Sequence, residues 1–208
     1  MYTHSKQIIS AGTPIEKAQK ALIMLHGRGA SANSIISLAS HFELGNTVIV
    51  APQATEHSWY PYSFMAPVEN NEPALSSALT LIDELVKDIV TKGIDKNNIY
   101  FSGFSQGACL ALEYVARNGA LYGGVIAFTG GLIGQKLVEP LYKGDFNGTP
   151  ILITTGDPDP HVPLSRVEES VDILKKLNAD VLLKVYSGRP HTITAKEIEL
   201  AVQHVLKQ

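Results

Sequence analysis

Apolar positions along this chain fall into two kinds of run. Val181–Tyr186, interrupted by Lys184, reads as the last strand, and short unbroken runs occur at Ala21–Leu25, Thr47–Ala51, Ile99–Phe101, Val125–Phe128 and Ile151–Thr154. Their length and β-branched content predict strands covered on both faces. Between them lie stretches with helical spacing. Ser31 to Phe42 places Ile35, Leu38, Ala39 and Phe42 on one side, and Pro73 to Val90 does the same with Leu75, Leu79, Ile82, Val86 and Ile89. Gly93 lies just beyond the second of these, where helices often stop. Ala108–Ala116 and Pro163–Leu177 follow the same rule. Thr194 to Leu206 closes the series, with Thr194 as N-cap and Glu197 three residues on. Strands alternating with amphipathic helices predict an α/β protein with a mostly parallel sheet and helices on both faces. The 208 residues suit one domain, 1–208, with a sizeable core. In such sheets, ligands bind beyond the C-terminal strand ends.

Composition narrows the picture by exclusion. Hydrophobic residues make up 45% and charged residues 18%, ordinary for a soluble globular protein. The net charge of −3 has no basic run behind it, which argues against nucleic acid as a partner. The first twenty residues hold no apolar leader segment, and no window is long and apolar enough for membrane insertion, so the expected location is cytoplasmic. The lone Cys109 excludes an internal disulfide and reads as a small core residue. Monomer and homodimer fit the sequence equally.

The chemistry is carried by Gly103-Phe104-Ser105-Gln106-Gly107. It joins a predicted strand to a predicted helix, the setting of the nucleophile elbow of α/β-hydrolases. A serine that projects from the top of a sheet needs a sharp turn, and side chains two residues away on either side would collide there. The helix that follows points free N–H groups at a developing oxyanion.

Such a serine needs a base, and the base needs an orienting acid, in the chain order Ser, Asp or Glu, His. The loop after Ile151–Thr155 reads Gly156-Asp157-Pro158-Asp159-Pro160-His161-Val162-Pro163. The loop after the last strand reads Ser187-Gly188-Arg189-Pro190-His191. Of seven histidines, His191 is the one placed after the last strand and is the expected base. His4 lies near the terminus, and His41 and His204 fall in or beside helices. His161 is too near the acids in sequence, and His26 is better placed to brace the turn at Gly27. His57 sits in an aromatic loop and is expected to line the site. Asp157 and Asp159 compete for the acid role, and spacing alone does not separate them. The oxyanion donors expected are the N–H groups of Gln106 and of Arg28, the latter in His26-Gly27-Arg28-Gly29.

At these blocks the chain resembles the phospholipase/carboxylesterase family, which includes acyl-protein thioesterases and small bacterial carboxylesterases. The resemblance spans essentially the whole chain. It implies an α/β-hydrolase fold, hydrolysis of carboxylic esters or thioesters, and no metal or cofactor. It selects Asp159 as the acid and supports Ser105, His191, Arg28 and Gln106 in the roles above. The chain departs from the thioesterase branch at two places: His-Gly-Arg-Gly replaces His-Gly-Leu-Gly-Asp, and the loop His57-Ser58-Trp59-Tyr60-Pro61-Tyr62 lacks an Asp. A small bacterial-type carboxylesterase is the better match. Trp59 and Tyr60, with His57, are the expected substrate-contacting residues, in the loop Glu56–Asn71, whose Trp59, Tyr60, Tyr62, Phe64 and Met65 are dense enough to wall an acyl pocket. No insertion between Val125 and Ile151 is long enough for a large cap domain, so small to medium esters are the expected substrates. A lysophospholipase or acyl thioesterase with the same residues, and a catalytically silent ligand-binding protein, are the alternatives.

Overall fold

A computed structural model describes residues 2–42 and 44–206. Its centre is a seven-stranded sheet. In chain order the strands are β1 (Ile8–Gly12), β2 (Lys20–Leu25), β3 (Thr47–Pro52), β4 (Ile99–Phe104), β5 (Gly124–Phe128), β6 (Pro150–Asp157) and β7 (Asp180–Ser187). The spatial order is β1-β3-β2-β4-β5-β6-β7. Every pairing is parallel except β1 against β3. The helices are α1 (Ala32–Ser37), α2 (Ala74–Thr91), α3 (Gln106–Arg117), α4 (Leu164–Lys176) and α5 (Ala195–Ala201).

Alternation along β2 shows how the sheet divides the core. Ala21, Ile23 and Leu25 face the cluster built with α2, α3 and α4. Leu22 and Met24 face the opposite cluster, with Ile35 of α1 and with Ala201, Val202 and Val205 near the C-terminus. The predicted stripe of α2 is buried at Leu75, Ile82, Val86 and Ile89, whereas Leu79 is only partly buried beside it. Segment 129–149, between β5 and β6, contains a single short 3-10 turn, Glu139–Leu141, so no large cap covers the sheet.

Three elements differ from expectation. The apolar pattern does not predict β1, because Ile8–Gly12 is a half-buried edge strand with a weak apolar signal. The helix expected over 31–42 is α1 followed by a separate 3-10 turn, Leu38–His41. Ser34, Ser37 and Ser40 each donate a hydroxyl to the carbonyl three residues back, and such bonds favour tighter turns over a continued α-helix. The last helix keeps its Thr194–Glu197 capping box but passes into a π-helical turn, Val202–Leu206.

The chain runs from β2 outward to β3, then crosses back to place β4 on the other side of β2. That reversal opens a crevice between the C-terminal ends of β2 and β4, the site such sheets offer to ligands. The loop Gly27–Ala30 and the turn at Ser105 meet there.

Candidate active site

Backbone sterics create the turn at Ser105. Its φ of 53° and ψ of −117° lie outside the regions a serine ordinarily adopts. The conformation survives because its neighbours fit nothing larger. A Cβ on Gly103 would lie 2.4 Å from the Gly107 carbonyl oxygen, and a Cβ on Gly107 would lie 2.1 Å from that of Leu25. Ser105 N–H donates to the Phe128 carbonyl at 3.0 Å, tying the turn to β5.

Three loops then bring three side chains together. His191 Nε2 is 2.8 Å from Ser105 Oγ, and His191 Nδ1 is 2.8 Å from Asp159 Oδ2. An ionised carboxylate only accepts, so the His191 proton sits on Nδ1 and Nε2 is free to accept from the serine hydroxyl. The other Asp159 oxygen accepts the N–H groups of His161 and Val162 at 2.9 and 3.0 Å. Burial pushes the Asp159 carboxyl up, but the bond from His191 and the two backbone donors outweigh it and hold the group below its ordinary value. Asp157 is exposed and its carboxylate makes no hydrogen bond or ion pair among the described residues, while its backbone carbonyl accepts Gly188 N–H at 2.9 Å. The imidazole of His191 is boxed by Phe104 and His161, with ring centroids at 5.1 and 4.8 Å.

The loop carrying His191 has its own anchor. Arg189 is buried, donating to the Thr129 hydroxyl at 2.6 Å and to the carbonyls of Pro190 and Thr192. Its Nε is 3.7 Å from Glu197, a fully buried carboxylate that also accepts the Thr154 hydroxyl. Nothing in the sequence pattern assigns either residue a place in the site. The capping-box pattern identifies Glu197, but only as a helix cap.

A cavity of about 520 Å³ opens beside Ser105. Gly27, Arg28, Gln106, Tyr60, Phe64 and His191 are among its walls. Gln106 opens α3, so its N–H belongs to the first turn and lacks an intrahelical partner. Arg28 lies in a tight turn closed by Ala30 N–H to the Gly27 carbonyl at 3.1 Å. Both expected oxyanion residues therefore border the cavity with Ser105.

The aromatic loop is placed differently from expectation. Of the three residues expected to contact substrate, Tyr60 lines the cavity. Trp59 is fully buried, its ring on His26 at 5.0 Å and its indole N–H donating to the His26 carbonyl at 2.8 Å. His57 is exposed and turned away, with Nδ1 at 2.8 Å from the Ala30 carbonyl. Pro61, Tyr62, Ser63 and Phe64 take the wall positions instead. A run of rings in sequence does not say which ring faces the core and which the cleft.

Two other histidines are structural. His26 Nε2 accepts the Ala54 N–H at 3.1 Å, so its proton is on Nδ1 and donates to the Gly27 carbonyl at 2.8 Å. It braces the Gly27 turn, and burial lowers its pKa. His4 accepts from Thr55 N–H at 3.1 Å, and burial likewise lowers its pKa. Cys109 sits at the cavity floor, its thiol pushed up to about 12 by burial, which suits an inert packing group and not a nucleophile.

Among the described residues, no helix is long and apolar enough to cross a membrane. The chain is similar to known proteins along its length. A crystal structure of a phospholipase/carboxylesterase from Dyadobacter fermentans DSM 18053 is 61% identical and superposes with a TM-score of 0.98, covering 99% of each chain. Esterase YpfH from Escherichia coli K12 is 25% identical over 202 residues, 93% of this chain and 84% of that protein. Acyl-protein thioesterase 1 from Kluyveromyces lactis is 23% identical over 219 residues, 96% of each. The sequence profile of the phospholipase/carboxylesterase group matches residues 6–208. With its α/β-hydrolase fold, the chain belongs to the phospholipase/carboxylesterase family of hydrolases.

Proposed function

We propose that this chain is a serine carboxylesterase that hydrolyses small to medium carboxylic esters through an acyl-enzyme on Ser105. The observation that carries the reading is the continuous relay Ser105 Oγ, His191 Nε2, His191 Nδ1, Asp159 Oδ2, with both contacts at 2.8 Å. Ser105 attacks the ester carbonyl while His191 takes its proton. The carbonyl oxygen becomes an oxyanion, held by the N–H groups of Arg28 and Gln106. Collapse expels the alcohol, which receives the proton from His191. Water, deprotonated by His191, then attacks the acyl-enzyme, and as the bond to Ser105 Oγ breaks and the acid leaves, His191 returns the proton to the serine. Asp159 keeps the imidazole in the productive tautomer and offsets the positive charge it acquires. No step calls on a metal or cofactor.

A cavity of about 520 Å³ falls within the usual range for small-ligand sites and suits a modest acyl or alcohol group. A fluorophosphonate probe should label Ser105, and phenyl acetate should be hydrolysed faster than a lysophospholipid or an acyl-CoA. Absence of labelling together with absence of turnover on all three would overturn the reading. Preference for the acyl-CoA or the lysophospholipid would move the assignment to a thioesterase or lysophospholipase with the same residues.

A further inference from the structure

The two residues assigned as oxyanion donors also hold the cavity wall with their side chains. The Arg28 guanidinium donates to three successive carbonyls of the aromatic loop: Tyr60 at 2.9 Å, Pro61 at 2.7 Å and Tyr62 at 2.6 Å. The Gln106 amide grips the same loop from the other side. Its oxygen accepts the Trp59 N–H at 2.9 Å, and its NH₂ donates to the Tyr60 carbonyl at 2.8 Å. Tyr60 O thus receives one bond from each. A third link joins the same segments, with Gly29 N–H donating to the His57 carbonyl at 2.8 Å. The loop is pinned behind by the Trp59 indole on the His26 carbonyl and beyond by Tyr62 N–H on Asn71 Oδ1. The Tyr60 carbonyl also accepts the Ser58 hydroxyl at 2.8 Å, so Arg28 and Gln106 are two of its three holders and the two that carry expected oxyanion N–H groups.

We propose that the side chains of Arg28 and Gln106 are positioning residues that couple the acyl-pocket wall to the oxyanion donors, so that this enzyme reads acyl size in kcat. The inference rests on the serine-esterase reading. Its physical basis is leverage over short covalent distances. A group that presses on Tyr60 displaces a carbonyl bonded to both side chains, and each side chain is attached to the backbone whose N–H must meet the oxyanion. Oxyanion stabilisation depends steeply on donor placement, and a misplacement of about 1 Å can cost on the order of 10²-fold in rate. A short acyl group leaves the wall untouched and the donors in place. A long one moves the wall and the donors with it. Both acylation and deacylation pass through the same oxyanion site, so the effect appears in kcat whichever step limits turnover.

Arg28 offers a clean test, because any substitution except proline keeps its backbone N–H. Two of its three bonds lie at exposed positions, where water replaces a lost donor. Arg28→Met frees the wall from one donor while retaining bulk. The measurement is kcat and KM for the 4-nitrophenyl acetate, butyrate, hexanoate and octanoate series. In Arg28→Met, the ratio of octanoate to acetate kcat should rise about tenfold over the parent enzyme, because the long chain no longer drags the donor. Arg28→Lys, which restores a single charged donor, should fall between. Should Arg28→Met melt well below the parent, Arg28→Gln serves instead, with the ratio moving in the same direction. A kcat ratio within twofold of the parent, whether selectivity then shifts in KM or absolute kcat falls uniformly, would overturn the coupling. That result would leave the esterase reading intact. Failure of the parent enzyme to hydrolyse any of the four esters would instead overturn the esterase reading itself.

Discussion

Replacing Asp159 by Asn tests the relay at the member that spacing does not fix. The substitution changes one atom, and its consequence follows from the bonds around the carboxylate. One oxygen accepts two backbone N–H groups and the other accepts His191 Nδ1–H. An amide has one oxygen and one NH₂. If the oxygen stays on the two N–H groups, the NH₂ faces Nδ1 and forces the imidazole to carry its proton on Nε2. In that tautomer His191 cannot accept from Ser105. If the amide flips, the NH₂ opposes two N–H donors at about 3 Å, and the loop must open. Either way kcat should drop by roughly 10²- to 10⁴-fold. Trading charge-assisted bonds for neutral ones should also cost about 1 kcal/mol of stability. Asp157→Asn should alter kcat by less than about twofold, since its side chain makes no hydrogen bond or ion pair among the described residues and is exposed. The assay is kcat on phenyl acetate for each purified variant, with a thermal melt to establish folding. An inactive Asp157→Asn beside a nearly normal Asp159→Asn would refute the tautomer argument.

Ser105→Ala should lose at least about 10³-fold in kcat and all fluorophosphonate labelling while keeping its melting temperature; near-normal turnover would count against the acyl-enzyme. Gly107→Ala should abolish soluble, folded protein, because its methyl group would meet the Leu25 carbonyl at 2.1 Å; a normal circular dichroism melt would contradict this packing. The depressed Asp159 carboxyl makes an acid-dependent contribution to stability. Its native form binds the proton less tightly than the unfolded chain does, so the contribution is complete above the ordinary carboxylate range of about 4 and is lost as pH falls through its lowered value. Melts of parent and Asp159→Asn should therefore converge on acidification. Glu113 carries the opposite sign: burial raises its carboxyl above its ordinary value, so its contribution fades as pH rises through the raised value, and Glu113→Gln should flatten that slope.

The order of the proposed triad is legible in the chain because its chemistry imposes an order on residue types, whereas the choice of Asp159 over Asp157 rests on the family resemblance. An elbow demands Gly at two spacings from the serine, and parallel strands place the acid and the base in successive loops. Ser105, Asp159 and His191 occur in that order and meet in space. The sheet is legible for a related reason. β2 through β6 are buried on both faces, and a short unbroken apolar run fits few places in a fold except a strand covered on both sides. β1 escapes because an edge strand needs only one apolar face, and Ile8–Gly12 barely shows one. Trp59 and His57 are misplaced by the sequence pattern because a cluster of rings carries no sign of direction. The indole N–H finds a carbonyl inside the protein, and the ring follows it into the core.

Polar anchors, buried except for the exposed Arg28, form the remainder, and their holding contacts share a physical reason for being invisible. Arg28, Gln106, Arg189 and Glu113 all hold backbone: three wall carbonyls by Arg28, a wall carbonyl and amide by Gln106, two carbonyls beside His191 by Arg189 and the Ile133 N–H by Glu113. None of these side-chain contacts is marked in the sequence, although Arg28 and Gln106 are expected there as backbone oxyanion donors, and Glu113 even occupies a helix position where a solvated carboxylate is the default. A loop can be held from any element that passes near it, so no spacing rule identifies the holder. The reacting groups must obey the geometry of a transition state, and that geometry leaves a signature in order and spacing. The anchors must only satisfy a donor or acceptor that a loop leaves open, which many residues at many positions can do. Substitution at the anchors should therefore be freer in identity than at the triad, provided that the replacement brings a donor or acceptor to the same backbone group.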